Sequence, residues 1–210
     1  MLIALLGGTG RTGVLVLDEL LLRGHQLRVL VRAEGRVAEG GSVTTVVGDC
    51  RDRDTLLALM EGADAVVSAL GPRGREQTLH RDTARALVAT MPTANVTRFV
   101  GISGRAVAVP GDQRSASSAV AARIVRLVGG SVAHDKREEY AVFAGSDLDW
   151  TLARPPRLVD GDETAHVEHD AHRSTRWSKV VRADLATFLV DVVEHGWYVR
   201  RAPFVATAKR

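Results

Sequence analysis

The residues Met1-Leu-Ile-Ala-Leu-Leu-Gly-Gly-Thr-Gly-Arg-Thr-Gly13 decide the fold. A short apolar run over 2–6 ends in four glycines within seven positions (Gly7, Gly8, Gly10 and Gly13), and an amphipathic segment over 14–23 follows at once. This reads as strand, tight turn, helix. Gly7 permits the sharp exit from the strand, Gly10 lets the backbone come close to a diphosphate, and Gly13 lets the helix pack tightly on the sheet. The free N–H groups of the first helical turn, at the positive end of the helix dipole, favour an anion. A glycine triplet alone is a weak signal and equally describes a turn with no ligand. The strand before it and the helix after it are the context a nucleotide-binding loop requires.

Outward from this stretch, Gly24 stops the first helix. Further strands are expected over 26–32, 43–47, 65–70, 98–102 and 148–153. The 65–70 run is nearly all apolar, as suits a parallel strand buried on both faces. Between the strands, Asp52 is the expected N-cap of a helix over 53–61 that turns Leu56, Leu57 and Met60 to one side. Helices are also expected over 77–90, 115–128, 133–144 and 182–195. Pro155-Pro156 cuts off the sixth strand, and a short strand surrounds Phe204. Residues 158–176 are polar, carry His166, His169 and His172, and read as an insertion or lid. The fold class is α/β: one doubly wound, parallel-sheet Rossmann domain over residues 1–210, with a small loop-rich C-terminal part. No repeat or linker marks a second domain.

Composition narrows the function classes. With 45% hydrophobic and 25% charged residues, the 210-residue chain has the make-up of an ordinary soluble domain with a sizeable core. Its net charge of +3 comes with only 4% aromatic residues and no basic cluster, which argues against nucleic acid as a partner. The single cysteine, Cys50, excludes an internal disulfide and a Cys-rich zinc site. No apolar run is long enough for a membrane span, and the first strand has no basic leader or cleavage site, so the expected location is the cytoplasm.

The end of the second strand is where dinucleotide folds discriminate. An acidic residue there selects NAD, and an arginine pairs with the 2′-phosphate of NADP. This chain has Arg32, with Arg36 four residues on, and the planar guanidinium fork suits a phosphate. Glu34 is the competing feature. The reading favours NADP (NADPH). After the third strand, Asp49 is positioned to accept a hydrogen bond from the adenine amine and Cys50 to pack on the ring; the alternative for Asp49 is a helix cap. Leu70 and Gly71, after the fourth strand, pass beside the ribose and diphosphate.

Together, the glycine loop 7–13, Arg32, Gly48-Asp49 and Asp149-Trp-Thr-Leu-Ala-Arg-Pro-Pro156 resemble the atypical short-chain dehydrogenase/reductases. The similarity is to the NAD(P)H-binding group that includes NmrA-like proteins and the flavin reductase/biliverdin-IXβ reductase, and it runs along essentially the whole chain. It implies a diphosphate loop of Gly7, Thr9, Gly10, Arg11, Thr12 and Gly13, and a 2′-phosphate contact from Arg32. It also implies Ser103 at the end of strand five beside the nicotinamide, and Pro155 and Pro156 along the nicotinamide face. The segment 132–140 takes the place of the substrate-side helix. One departure matters: the larger family's Tyr-x-x-x-Lys pair is absent, because Ala144 follows Tyr140 by four. Lys136 precedes Tyr140 by four, on the same helix face but in reverse order.

Ser103, Lys136 and Tyr140 are therefore the catalytic candidates, against the alternatives of a local cap for Ser103 and solvated helix positions for the other two. A flat conjugated acceptor such as a flavin or quinone spreads arriving charge and needs little more than positioning, so the missing pair points to that chemistry. The expected function is NADPH-dependent reduction of such an acceptor. The alternative is an NADP-binding redox sensor of the NmrA-like type, and an isomerase on a sugar nucleotide is weaker for want of a large substrate domain. The three lid histidines are read as solvated rather than metal-binding, His80 and Arg81 as helix surface, and Trp150 and Trp177 as core or pocket wall. The candidate protein partner is a second copy of the chain, as a homodimer.

Overall fold

A computed structural model describes residues 1–38, 40–71, 76–113 and 130–208. The expected helix over 115–128, and Pro72 beside Gly71, lie outside the described residues. Six strands form one parallel sheet: β1 (Leu2–Leu6), β2 (Gln26–Val31), β3 (Val43–Val47), β4 (Ala65–Ser68), β5 (Arg98–Ile102) and β6 (Asp149–Ala153). Their order across the sheet is β3-β2-β1-β4-β5-β6. Every neighbouring pair is parallel. The chain leaves β1 toward β2 on one side and returns to the other side with β4. That reversal opens a crevice at the carboxyl ends of the strands, where open α/β sheets bind ligands.

The period-2 alternation of β1 assembles two cores. Ile3 and Leu5 face helix α1 (Arg11–Leu22) and helix α5 (Arg182–Glu194). Ala4 and Leu6 face α2 (Arg53–Met60), α3 (Leu79–Thr90) and α4 (Gly130–Ala144). The Asp52 carboxylate caps α2 by accepting the Thr55 N–H at 2.8 Å, as the sequence suggests.

The region 158–176 is not a plain solvated lid. It belongs with β7 (Arg157–Val159), β8 (Val167–Asp170), β9 (Lys179–Val181) and β10 (Phe204–Thr207), which form two small sheets, β8 with β10 antiparallel and β7 with β9 parallel. The period-2 register of so short a strand is masked by charged residues, and its partner lies far along the chain. His169 accordingly packs against the Phe188 ring and lies 2.6 Å from the Tyr198 hydroxyl. Asp184, in the first turn of α5, is fully buried and accepts the Thr164 N–H and the Thr207 hydroxyl, tying this part together.

The chain past α5 runs beside β6. Arg200 donates its N–H to Trp150 O at 2.7 Å, and Arg154 donates its own to Pro203 O at 2.7 Å. Arg154, the arginine of the Arg-Pro-Pro turn, is fully buried. Its guanidinium grips both oxygens of Asp112 at 2.7 Å, donates to Val107 O and Ala202 O, and lies 3.8 Å from the centre of the Phe204 ring. One side chain thus fastens the loop after β5, the C-terminal segment and the end of β6.

Candidate active site

The crevice at the switch point is a cleft of about 750 Å³, lined by the glycine loop, the exits of β2 and β3, and Ala69 to Gly71 after β4. Its floor exists because three positions carry no side chain. A Cβ on Gly13 would lie 1.9 Å from Gly7 O, and one on Gly7, where φ is +77°, would lie 2.8 Å from the Ala69 backbone. Gly48 has a similar cause that the sequence does not announce: its Cβ would meet Thr55 Oγ1 at 2.4 Å. Helix α1 begins at Gly10 with no capping side chain and no acidic residue in its first turn. Its free N–H groups therefore face the cleft, as an anion site needs.

Most of the expected cofactor residues line this cleft: Gly7, Thr9, Gly10, Arg11, Thr12, Arg32, Arg36, Asp49, Cys50, Leu70 and Gly71. Gly13 lies beneath it, as the helix contact. Arg32 and Arg36 are exposed, and Arg32 reaches Glu76 at 3.5 Å. Both Asp49 oxygens are held by Arg51, at 2.6 and 2.8 Å, and this pairing brings its pKa down to about 2. The Cys50 thiol is 3.2 Å from the Thr83 hydroxyl and turned toward α3; burial pushes its pKa up. Arg11 is ion-paired with Asp160, which also takes Arg182 at 2.6 Å. The sequence did not reveal that the glycine loop is tethered to the C-terminal part. Pro155 is buried behind the β6 exit, its carbonyl accepting the Arg105 N–H at 3.0 Å.

Beyond the cleft along the same sheet edge lies a second group. The register Ser68↔Gly101 brings Leu70 and Ser103, each two residues further on, out at one end of the sheet. Ser103 is buried at the β5 exit. Lys136, on α4, donates to Ile102 O and lies 3.2 Å from Glu139 Oε2. Glu139 Oε1 is 3.8 Å from His80 Nδ1. Behind them the Asp135 carboxylate accepts the N–H groups of His80 and Arg81, each at 2.9 Å, and so caps α3 from a neighbouring helix. The structure corrects the reading of His80 as helix surface: it is 3% exposed, because α4 crosses the start of α3. No spacing rule brings Glu139 and His80 together, 59 residues apart, so the sequence reading missed both. Burial pushes the His80 pKa down to about 2, so it is neutral, and pushes Glu139 up and Lys136 down. Tyr140 does not join this group. Its ring stands edge-on to Trp150 at 5.8 Å and borders a separate hollow of about 250 Å³ with Val109 and His172.

The description of one family, NAD(P)H-binding, fits this geometry, and its profile matches residues 7–196. The chain belongs to that family. A *Burkholderia pseudomallei* structure, named as an exported protein, is 30% identical over 98% of this chain and 99% of its own, with a TM-score of 0.79. ChuY, an anaerobillin reductase from *Escherichia coli* O157:H7, is 19% identical with a TM-score of 0.80, covering 100% of this chain and 98% of its own. That likeness speaks for the fold. Eugenol synthase 1 of *Petunia hybrida* is 30% identical over 107 residues, 46% of this chain and 33% of the synthase. The chain thus spans less than half of the length of this relative, and likewise of YwnB of Bacillus subtilis, which is 29% identical over 47% of its own length. Among the described residues no helix is long and apolar enough to cross a membrane.

Proposed function

We propose that this protein is an NADPH-dependent reductase that passes hydride to a flat conjugated acceptor such as a flavin or quinone. The observation that carries the reading is the juxtaposition, on one sheet edge, of the glycine-floored cleft and the buried Ser103–Lys136–Glu139 group. When bound, the dinucleotide supplies the hydride. The residues of the chain do the rest. The N–H groups of α1 and the Thr9 and Thr12 hydroxyls hold the diphosphate, and Arg32 and Arg36 hold the 2′-phosphate as bidentate donors. Gly71, where a Cβ would meet nothing within 4 Å, leaves room for the nicotinamide ribose. Ser103 stands at the nicotinamide end as hydrogen-bond donor to the acceptor.

A redox sensor would need the cleft alone. A buried group of titratable side chains beside it favours catalysis. The name of one neighbour of the same fold, an anaerobillin reductase, agrees with a reductase. The cytoplasm is part of the same reading, resting on the lone buried Cys50. The test is NADPH oxidation with menadione and with FMN. Steady consumption that requires acceptor supports the reductase, whereas tight NADP binding without turnover supports the sensor.

A further inference from the structure

Three polar atoms in the second group, Ser103 Oγ, His80 Nε2 and Glu139 Oε2, are buried without a well-formed hydrogen bond among the described residues, and of them Glu139 Oε2 has the Lys136 ammonium 3.2 Å away. A buried polar atom left wholly unpaired costs roughly 1–3 kcal/mol of stability. Concentrated in one place beside a cofactor cleft, they mark a site built for chemistry at the expense of packing.

A charge count says what that chemistry is. Three elements contribute to the group: α4 with Asp135, Lys136 and Glu139, α3 with His80, and the β5 exit with Ser103. His80 is neutral, as burial requires. Two backbone N–H donors engage Asp135 as a carboxylate. Among the buried side chains of the group Lys136 is the one cation, facing both Glu139 at 3.2 Å and the Asp135 charge; the Arg81 guanidinium, paired with Asp82 at 2.9 Å, acts on Asp135 from the more exposed side. A second ionised carboxyl would leave a net negative charge in a site nearly without water, and like charges sharing a buried site do not both ionise readily. Glu139, 6% exposed and receiving no backbone N–H, is the one of the two that keeps its proton. Desolvation and the Asp135 charge both push its pKa up, against the pull of Lys136.

We propose that Glu139 is the proton source for the reduction, delivering through the Ser103 hydroxyl, with Lys136 as the cation that receives the carboxylate left behind. This rests on the reductase reading above. The acceptor gains two electrons and a hydrogen as hydride from the nicotinamide. The Glu139 O–H bond breaks as its proton passes to Ser103 Oγ, while the proton of Ser103 moves to the oxygen or nitrogen of the acceptor. Glu139 is left as a carboxylate 3.2 Å from the Lys136 ammonium, and solvent restores its proton after product leaves. The sum is NADPH, a proton and oxidised acceptor going to NADP and reduced acceptor. Ser103 is the group that touches the acceptor; Glu139 acts through it.

The experiment has two arms. In the unligated protein, carboxyl carbon resonances are followed against pH in wild type, Glu139→Gln and Ser103→Ala. One carboxyl titrating above the ordinary glutamate range, present in wild type and Ser103→Ala and missing from Glu139→Gln, is the expected result. In single turnovers of NADPH with menadione, both variants should slow on the order of 10²-fold. They should also lose the solvent isotope effect and the basic limb of the pH profile, with the thermal shift by NADPH unchanged. Glu139→Asp should restore part of the rate. Should Glu139→Gln fail to fold, Ser103→Ala carries the kinetic arm alone. A Glu139 that titrates in the ordinary range, or variants with the wild-type rate and pH profile, would overturn the proposal. A wild type that binds NADPH yet oxidises none fails the reductase reading, and the donor role with it, even if the titration shows a proton held on Glu139.

Discussion

The two ends of one sheet edge are built on opposite principles. Over β1 to β4 the cleft is shaped by missing side chains and ringed by exposed guanidinium groups. Over β5 and β6 the polar groups are buried, and Arg154 and Asp112 meet there with almost no exposure, 0% and 6% of their side chains. An exposed charge recognises a ligand at little structural cost and is weakened by salt. A buried charge is held in place only by a partner, and losing that partner is expensive. The first design suits a highly charged cofactor that must come and go; the second suits a site that must hold a proton and exclude water.

Substitutions at the two ends should therefore differ sharply. Asp112→Ala strands a buried guanidinium and should remove about 3–5 kcal/mol of stability, read as a lowered urea midpoint. Arg32→Ala, at an exposed position, should change the same midpoint by less than about 0.5 kcal/mol. Comparable losses in the two would erase the contrast.

Gly13→Ala crosses the divide, because the missing Cβ at the cleft is a matter of backbone packing. The new methyl would meet backbone alone, Gly7 O at 1.9 Å, Gly7 C at 2.7 Å and Gly8 Cα at 3.0 Å, so α1 must move. Stability should fall by about 1–3 kcal/mol, and NADPH should no longer raise the thermal midpoint. Retained binding would show that the loop tolerates a shift the geometry forbids.

For Arg32→Ala the effect belongs in binding. Losing charge-assisted hydrogen bonds worth about 1.5–3 kcal/mol should weaken NADPH roughly ten- to a hundredfold, leave NADH nearly unchanged, and reduce the salt dependence of the NADPH constant. Calorimetry at two salt concentrations measures all three.

The last effect concerns pH at the buried end. Because His80 has its pKa lowered to about 2 when folded, against roughly 6.5 for an unfolded histidine, the unfolded chain binds the extra proton in between. Stability should fall as pH drops through about 6.5, by roughly 1.4 kcal/mol per pH unit. His169, also lowered by burial, adds to this limb, while Glu139, raised, works against stability at higher pH. His80→Gln should flatten the limb between about pH 6.5 and 4.5, where ordinary carboxylates are mostly ionised. Equilibrium unfolding at a series of pH values tests it.

The same divide governs what the sequence discloses. The cleft is local: strand, glycine turn and helix lie within Met1 to Leu22, and the Arg32 position follows from counting along β2. The parallel sheet follows from alternating strands and helices, whereas its strand order was not read from the sequence. The reactive end depends on which helix crosses which. The family resemblance named Ser103 and the segment 132–140, and the spacing to Tyr140 singled out Lys136 within it. His80 read as surface because the charged Arg81 and Asp82 follow it, and only the crossing of α4 buries it. Glu139 sits in a run of charged residues, Lys136-Arg-Glu-Glu139, that gives no hint which one faces inward. Arg154 was quoted within a motif with no role, since its partner Asp112 is 42 residues away in a loop.

The most direct measurement of the central claim is the thermal midpoint with NADPH, NADP, NADH and NAD, in wild type and in Arg32→Ala. A ligand that binds the native state raises the midpoint, the more so the tighter it binds at a given concentration. The expected result is a clear rise with the two phosphorylated nucleotides, a small one with the other two, and loss of the difference in Arg32→Ala. Equal shifts with all four would contradict the NADP assignment, and no shift with any would mean that the glycine turn holds no dinucleotide.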